Sequence, residues 1–445
     1  MELLITILST LGIFIAAIFI LVFFHELGHF LTAKWFKMRV DQFSIGFPPK
    51  IFGYKKGETE YVIGATPLGG YVKIAGMIDE SMDDEYTSQP PQEDEFRSKP
   101  VWQRMVVILA GVIFNVILAF FIYTGMAWHY GEEVLPVDAI EGVYIPENTL
   151  ASEMGFQTGD RVIGINRREV DYFEQLFRPA AITGRDVSFM VERNSDIHHL
   201  SAPSDFLDRL NREQLIEPSW ILPSKIASVV DDSPASAAGL QAGDEIVAFD
   251  GEEISYWIQL TEKIQQADGQ VTLTVLRDGE RVDLSIIPDQ ETGTIGIHAY
   301  NFADSIVNLE HSFISSFAVG YHQTGGTFIG IVQGLQQLLT GTISVRENLG
   351  GPVAIASVTR DATVQRGWEG FWLITAFLSI TLAIMNMLPI PALDGGHFLF
   401  LVYEGITRRE PSPKVRMALQ QIGLILLIGI FILVTFNDIL RQFGG

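Results

Sequence analysis

The sequence predicts a polytopic α-helical membrane protein with four transmembrane helices, a membrane-associated β-hairpin, and two small α/β domains inserted between spans two and three. Three observations carry this. The 445-residue chain is 48% hydrophobic with a mean hydropathy of +0.25, and its apolar residues are clustered rather than spread. Four segments, 3–30, 105–128, 370–388 and 418–437, reach the roughly 20 predominantly apolar residues that a bilayer crossing needs. The long acidic block between the second and third contains an internal repeat, the mark of duplicated units.

The first segment opens on LLITILSTLGIFIAAIFILVFF (3–24), which has no charge. It lacks a positively charged n-region and exceeds the usual apolar stretch of a signal peptide, so it reads as a retained anchor over 1–32. Basic residues gather beside the spans: Lys34, Lys37, Arg39, Lys50, Lys55 and Lys56 after the first, Arg97, Lys99 and Arg104 before the second, Arg408, Arg409, Lys414 and Arg416 between the third and fourth. The positive-inside rule makes those loops cytoplasmic and places both termini and the acidic block outside. Span two then covers 101–128, span three 370–396 and span four 416–438. A formal net charge of −23 argues against a nucleic-acid partner. With no cysteine there are neither disulfides nor thiolate metal sites.

In the 33–100 loop, TEYVIGATPLGGYVKIAG (59–76) has two β-type runs around Pro67-Leu68-Gly69-Gly70 and predicts a hairpin apolar enough to dip into the bilayer surface. The acidic, Pro-containing 77–100 stretch predicts a mobile linker. Residues 301–365, where TGGT and QGLQQ are too polar for a fifth span, predict helices lying on the membrane surface, closed by a turn at Asn348-Leu349-Gly350-Gly351-Pro352.

The chemistry sits in His25-Glu26-Leu27-Gly28-His29, directly behind the first apolar run. Ionisable groups at membrane depth are expensive and mark function or pairing. On a helix His25 and His29 share a face, the H-E-x-x-H spacing in which two imidazoles hold zinc and the glutamate, here Glu26, is a general base. Zn2+ can bring the pKa of a water to about 7, giving that base something to deprotonate. The bland alternative is two helix histidines and a glutamate near the headgroups. A third ligand is offered by Asn386-Met387-Leu388-Pro389-Ile390-Pro391-Ala392-Leu393-Asp394-Gly395-Gly396-His397. Pro389 and Pro391 break span three, so the extended chain can deliver Asp394 sideways, and Gly395-Gly396 lets backbone approach closely. His397 is expected to be structural, and His311 and His322 lie on the acidic side.

The repeat pairs Ala151–Val162 (ASEMGFQTGDRV) with Ala235–Ile246 (ASAAGLQAGDEI). Each copy resembles the PDZ domain of bacterial proteases, the second more closely, which predicts PDZ-like domains at 135–220 and 221–300. Such domains take extended peptides or substrate segments on a sheet edge. With HELGH, Asn386-x-x-Pro389-x-Pro391-x-Leu393-Asp394-Gly395, Gly111-x-x-x-Asn115 and Gly350-Gly351-Pro352, the chain resembles the site-2 proteases, intramembrane zinc metalloproteases, and within them the bacterial RseP type with tandem PDZ domains. The resemblance covers essentially the whole chain. It implies that His25, His29 and Asp394 bind zinc, that Glu26 is the base, and that Asn386, with Pro389 beside it, contacts substrate. It also implies that the hairpin, at Gly69, Gly70 and Tyr71, holds the substrate as an added strand. The implied substrates are pre-trimmed single-span membrane proteins, such as an anti-sigma factor or signal-peptide remnants. The implied setting is the lipid bilayer of a bacterial inner membrane, with the site near the cytoplasmic side and the PDZ pair, a size gate, in the periplasm. The competing readings are a PDZ scaffold with a stabilising metal, for which Glu26 is dispensable, and a metal transporter, for which the apolar stretches 105–128 and 418–437 lack acidic or His residues.

Overall fold

The chain divides into two units, residues 1–131 with 310–445, and residues 132–309. The computed structural model describes residues 2–77, 90–140, 142–145, 149–177, 187–203, 206, 209, 223–289, 293–299, 305–340 and 350–443. The first unit opens with helix α1 (Glu2–Trp35), strands β1 (Val40–Lys56) and β2 (Thr59–Ile74) and helix α2 (Val101–His129). The second unit follows. Its elements are β3 (Glu132–Val134), α3 (Leu150–Glu153), β4 (Arg161–Ile165), β5 (Arg168–Glu169), β6 (Ser188–Arg193), β7 (Asp196–Ser201), β8 (Ile226–Val229), α4 (Pro234–Ala237), β9 (Glu245–Phe249), β10 (Glu252–Glu253), α5 (Trp257–Gln266), β11 (Val271–Arg277), β12 (Glu280–Ile286), β13 (Ile297–Ala299) and β14 (Val307–Leu309). The first unit resumes with α6 (Phe313–Thr340), α7 (Pro352–Arg366), α8 (Trp368–Met387), α9 (Asp394–Thr407) and α10 (Pro413–Phe443).

Among the described residues, four helices are long and apolar enough to cross a membrane: Leu8–Trp35, Val101–His129, Trp368–Met387 and Lys414–Asp438. These are the four segments that hydropathy predicts. Span three differs in detail from the predicted 370–396. α8 stops at Met387, with Leu388 extended (ψ 144°), because a residue that precedes proline is pushed out of the helical region. A further helix, α9, starts at Asp394.

The predicted hairpin is corrected. β2 runs through Pro67–Gly70, and its two halves do not pair with each other. Both pair with β1, a strand whose Pro48-Pro49 and three lysines depress its strand signal. The turn is at Gly57-Glu58, where Gly57 has φ 64°. Beyond it Phe52 faces Ile63, and Lys56 faces Thr59. Gln42 then has both Glu60 and Lys73 as partners, and Ile45 both Ile63 and Gly70. Residues 70–74 therefore form an outer edge, registered against β1 on one side. The base of this ribbon packs with the helices: Met38, Val40, Phe43, Val72 and Ile74 join Ala33 of α1, Val107 and Ile108 of α2 and Leu401 of α9 in one buried cluster.

Helices stand where 301–365 predicts them, as α6 and α7, and neither is among the four candidate spans. α6 is one helix that runs antiparallel along α2, with Phe313 on Trp128 (5.3 Å between ring centroids), Gly320 on Thr124, and Tyr123 Oη 3.2 Å from Thr327 Oγ1. Ile331 and Leu335 continue into a cluster with Ala119 and Ile380. Its 28 residues hold no Asp, Glu, Lys or Arg, and the small Gly320 and Thr327 sit in its contact with α2. Of the predicted linker, 78–89 lie outside the described residues, as do Asn348 and Leu349 of the predicted turn. The linker's far end is ordered: Glu95 and Phe96 are buried, and Arg97 Nε donates to Glu95 Oε2 at 2.6 Å.

In the second unit the repeat is structural. Each copy is a four-stranded antiparallel sheet, β5-β4-β6-β7 and β10-β9-β11-β12, over its own core, centred on Phe189 and Leu150 in one and on Leu260 and Leu273 in the other. The short helices α3 and α4 are capped alike, by Thr149 and Ser233. The buried Asp of each repeat takes a matching partner. Arg193 donates Nε and Nη2 to Asp160 at 2.6 and 2.7 Å and Nη2 to Gly155 O at 2.8 Å. Arg277 does the same to Asp244 at 2.7 and 2.7 Å and to Gly239 O at 2.9 Å. The backbone N–H groups of Gln157 and Gln241 complete the two carboxylates, each at 2.9 Å. Finally β14 pairs antiparallel with β3, Val307 facing Val134 and Leu309 facing Glu132, so the chain arrives at and leaves this unit through neighbouring strands.

Candidate metal centre and active site

α1 carries His25 and His29 on one face, and both are buried at 8% exposure. Their Nε2 atoms lie 3.3 Å apart. The break between α8 and α9 brings in the third group: Asp394, first residue of α9, sets Oδ2 3.2 Å from His25 Nε2 and 3.4 Å from His29 Nε2. A Cβ on Gly395 would collide with the Met387 and Leu388 carbonyls, so only glycine lets α9 start against the end of α8.

Three donor atoms from residues far apart in sequence thus form a nearly equilateral triangle. Zinc ligands sit about 2.0–2.1 Å from the ion, so the edge of a tetrahedral ligand set is about 3.3–3.4 Å. The three edges here match that figure. Asp394 Oδ2 is buried without a well-formed hydrogen bond, an orphan that a cation at the triangle would satisfy. His25, His29 and Asp394 are the group of His, Asp or Glu side chains whose donor atoms converge for a metal among the described residues. Two imidazoles and a carboxylate form a donor set suited to catalytic zinc.

The outer contacts come from α2. His29 Nδ1 donates to Val107 O at 2.8 Å, which leaves Nε2 as the free lone pair. His25 Nδ1 lies 3.3 Å from the amide nitrogen position of Asn115, which is fully buried and whose backbone carbonyl accepts from Ser379 Oγ at 2.8 Å. The imidazoles lie against Gly111, where a Cβ would strike His29 Nε2 and come within 2.6 Å of His25 Cε1. Gly28 faces the Ala110 carbonyl with equally little space. The Gly111-x-x-x-Asn115 spacing is thus one turn of α2 laid on the two histidines.

The other predicted residues fall as follows. Glu26 is buried at 7% exposure beside the outer strand edge, where a Cβ on Gly70 would lie 3.1 Å from its Cγ. Asn386, in the last turn of α8, reaches Nδ2 to 3.4 Å from His25 Nε2. Pro389 is exposed in the α8–α9 break. Gly69 packs on the Phe47 ring, while Tyr71 stacks on Phe47 and donates its hydroxyl to Gln42 at 2.8 Å, away from the histidines. His397 bonds Gln420 at 3.2 Å and takes no part in the triangle. Sequence reasoning missed the Val107 carbonyl, which no side-chain pattern could announce.

The family model "Peptidase family M50" matches residues 13–430. "Regulator of sigma E protease" from Haemophilus influenzae is 31% identical over 453 residues, 98% of this chain and 99% of the relative. "Zinc metalloprotease RasP" from Oceanobacillus iheyensis is 30% identical, covering 98% and 100%. "Regulator of sigma-E protease RseP" from Salmonella typhimurium is 29% identical, covering 98% and 99%. Among solved structures, the PDZ domain of an SdrC-like protein from Listeria monocytogenes covers 19% of this chain and 93% of its own at 24% identity. Its TM-score of 0.16 carries no weight for the fold. Four helices of membrane-crossing length and a His-His-Asp group that could hold a metal fit a membrane metalloprotease. The chain belongs to peptidase family M50, the site-2 proteases, and is a zinc metalloprotease.

Proposed function

We propose that this enzyme hydrolyses peptide bonds within the transmembrane segment of a single-span membrane protein already trimmed outside the bilayer. The observation that carries the reading is the His25–His29–Asp394 triangle, built at the end of one candidate span and in the break after another. Zinc held there would polarise a carbonyl and make water acidic enough to lose a proton near neutral pH. Glu26 takes that proton and passes it to the leaving amine. A helical substrate hides its carbonyls, and attack needs an approach of about 3 Å in a defined direction. The substrate must therefore unwind. The outer edge at residues 70–74, next to Glu26, supports a role in holding it as an added strand, and Asn386 supports one in fixing its backbone. Two of the relatives are named for regulating sigma E, which supports a membrane-anchored anti-sigma factor as substrate and the bacterial inner membrane as setting. The basic loops support a site near the cytoplasmic side, with residues 132–309 outside as a gate.

The test is cleavage of a tagged, trimmed single-span substrate by the detergent-purified chain, beside Glu26→Gln, with zinc measured on both. The expected result is full zinc and a rate lower by about 10²–10⁴-fold in Glu26→Gln. Zinc on both proteins with no cleavage by either would favour the scaffold reading, and equal cleavage by both would remove Glu26 as the base. A third arm, with 132–309 deleted, should cut untrimmed substrate; if it does not, the gate is wrong.

A further inference from the structure

His29 and His25 do not stand alike. His29 Nδ1 faces a backbone carbonyl, which can only accept, so its proton is on Nδ1 and its Nε2 is bare. His25 Nδ1 faces Asn115, whose amide offers both a donor and an acceptor. Which end of an amide meets the ring is settled by what the ring requires. If the amide N–H donated to Nδ1, neutral His25 would carry its proton on Nε2, the atom aimed at Asp394 Oδ2 and His29 Nε2. No ion could then take Nε2.

Resting on the metalloprotease reading, we propose that Asn115 is a positioning residue that presents Oδ1 to His25 Nδ1–H and so holds Nε2 bare for zinc. Three observations converge on this. Asn115 is fully buried, and water cannot substitute for it. Its oxygen has no partner when the nitrogen faces the ring, a cost of about 1–3 kcal/mol for a buried acceptor. The Ser379 hydroxyl anchors the Asn115 backbone carbonyl at 2.8 Å, so α8 steadies the turn of α2 from which the amide reaches. Carboxylates and carbonyls that accept from the far nitrogen of a metal-bound histidine orient it and raise its basicity, and their removal typically costs 10–100-fold in metal affinity.

The test uses the full chain in detergent, with zinc alone as the probe and a competing chelator. Asn115→Leu, which keeps the volume and loses the acceptor, should bind zinc about 10–100-fold more weakly. Asn115→Asp, which can only accept, should stay near wild type. In cobalt-substituted protein the tetrahedral visible bands should persist in Asn115→Asp and fade in Asn115→Leu; a packing defect would affect the two variants alike. Wild-type zinc affinity in Asn115→Leu overturns the proposal, and so does equal loss in both variants. His25→Ala and His29→Ala are run alongside. If they keep full zinc, the metal centre itself is misassigned and this proposal falls with it; if they lose zinc and Asn115→Leu does not, this proposal alone falls.

Discussion

At Gly111 one absent carbon leaves both imidazoles in place, because they rest on bare helix backbone there and a Cβ would force them to shift. Gly111→Ala should push His29 off the triangle. The expected outcome is at least a tenfold loss of zinc affinity with helix content unchanged, measured by chelator competition and circular dichroism. Gly125, on the same helix, has open space at its Cβ position, so Gly125→Ala is the matched control. At this scale the sequence was most legible where spacing along one element does the work. His25 and His29 are four residues apart on a helix, and Asp394 follows two prolines that end another. The contacts across elements were not legible. Val107 and Asn115 lie 78 and 90 residues from the histidines they touch, and only the packing of α2 on α1 brings them there.

The β1–β2 ribbon shows what alternation along a strand can and cannot reveal. Both runs of β2 were visible as strands, but their partner was not, because β1 carries prolines and lysines that depress its strand signal. The true pairing leaves the 70–74 edge with one registered neighbour and sets it beside Glu26. If a substrate strand adds there, the inactive Glu26→Gln enzyme mixed with substrate should show slowed amide exchange over 69–74, with the 52–56 arm unchanged. Exchange that stays unchanged over 69–74 sinks the added-strand reading. α6 has the opposite lesson. Its glycines and glutamines looked like interruptions, yet small residues are what let a helix lie close on α2. A second cross-element tie, Asp438 of α10 accepting from the Gly351 and Ala354 N–H groups at 3.0 Å each, caps α7 and explains why Gly351-Pro352 opens that helix.

Across the whole molecule the acid response should begin in the 132–309 unit. Burial pushes the Asp244 carboxyl up, but the Arg277 hydrogen bonds, the Gln241 N–H and the Arg277 charge outweigh it and hold the group below its ordinary value. A depressed carboxylate stabilises the fold above its unfolded value of about 3.9, and that contribution is lost as pH falls through the lower folded value. Melting of the full chain, followed from neutral to about pH 3, should show an early transition from this unit, and Asp244→Asn should flatten the acid limb while lowering stability at neutral pH. An unchanged acid limb in the variant would remove Asp244 from the account. The duplication was legible from its Gly-Asp turns; the arginines that lock them stand 33 residues on in each copy, too far for a local motif to announce the pairing. Because β3 and β14 run side by side, the chain from Glu132 to Leu309, once folded, is for the membrane helices little longer than the bend of a helical hairpin. An unstructured loop of that length would oppose the α2–α6 pairing by roughly 4 kcal/mol more in closure entropy than a bend of two residues. The folded insert removes that penalty, because the β3–β14 pairing closes the loop within the insert itself.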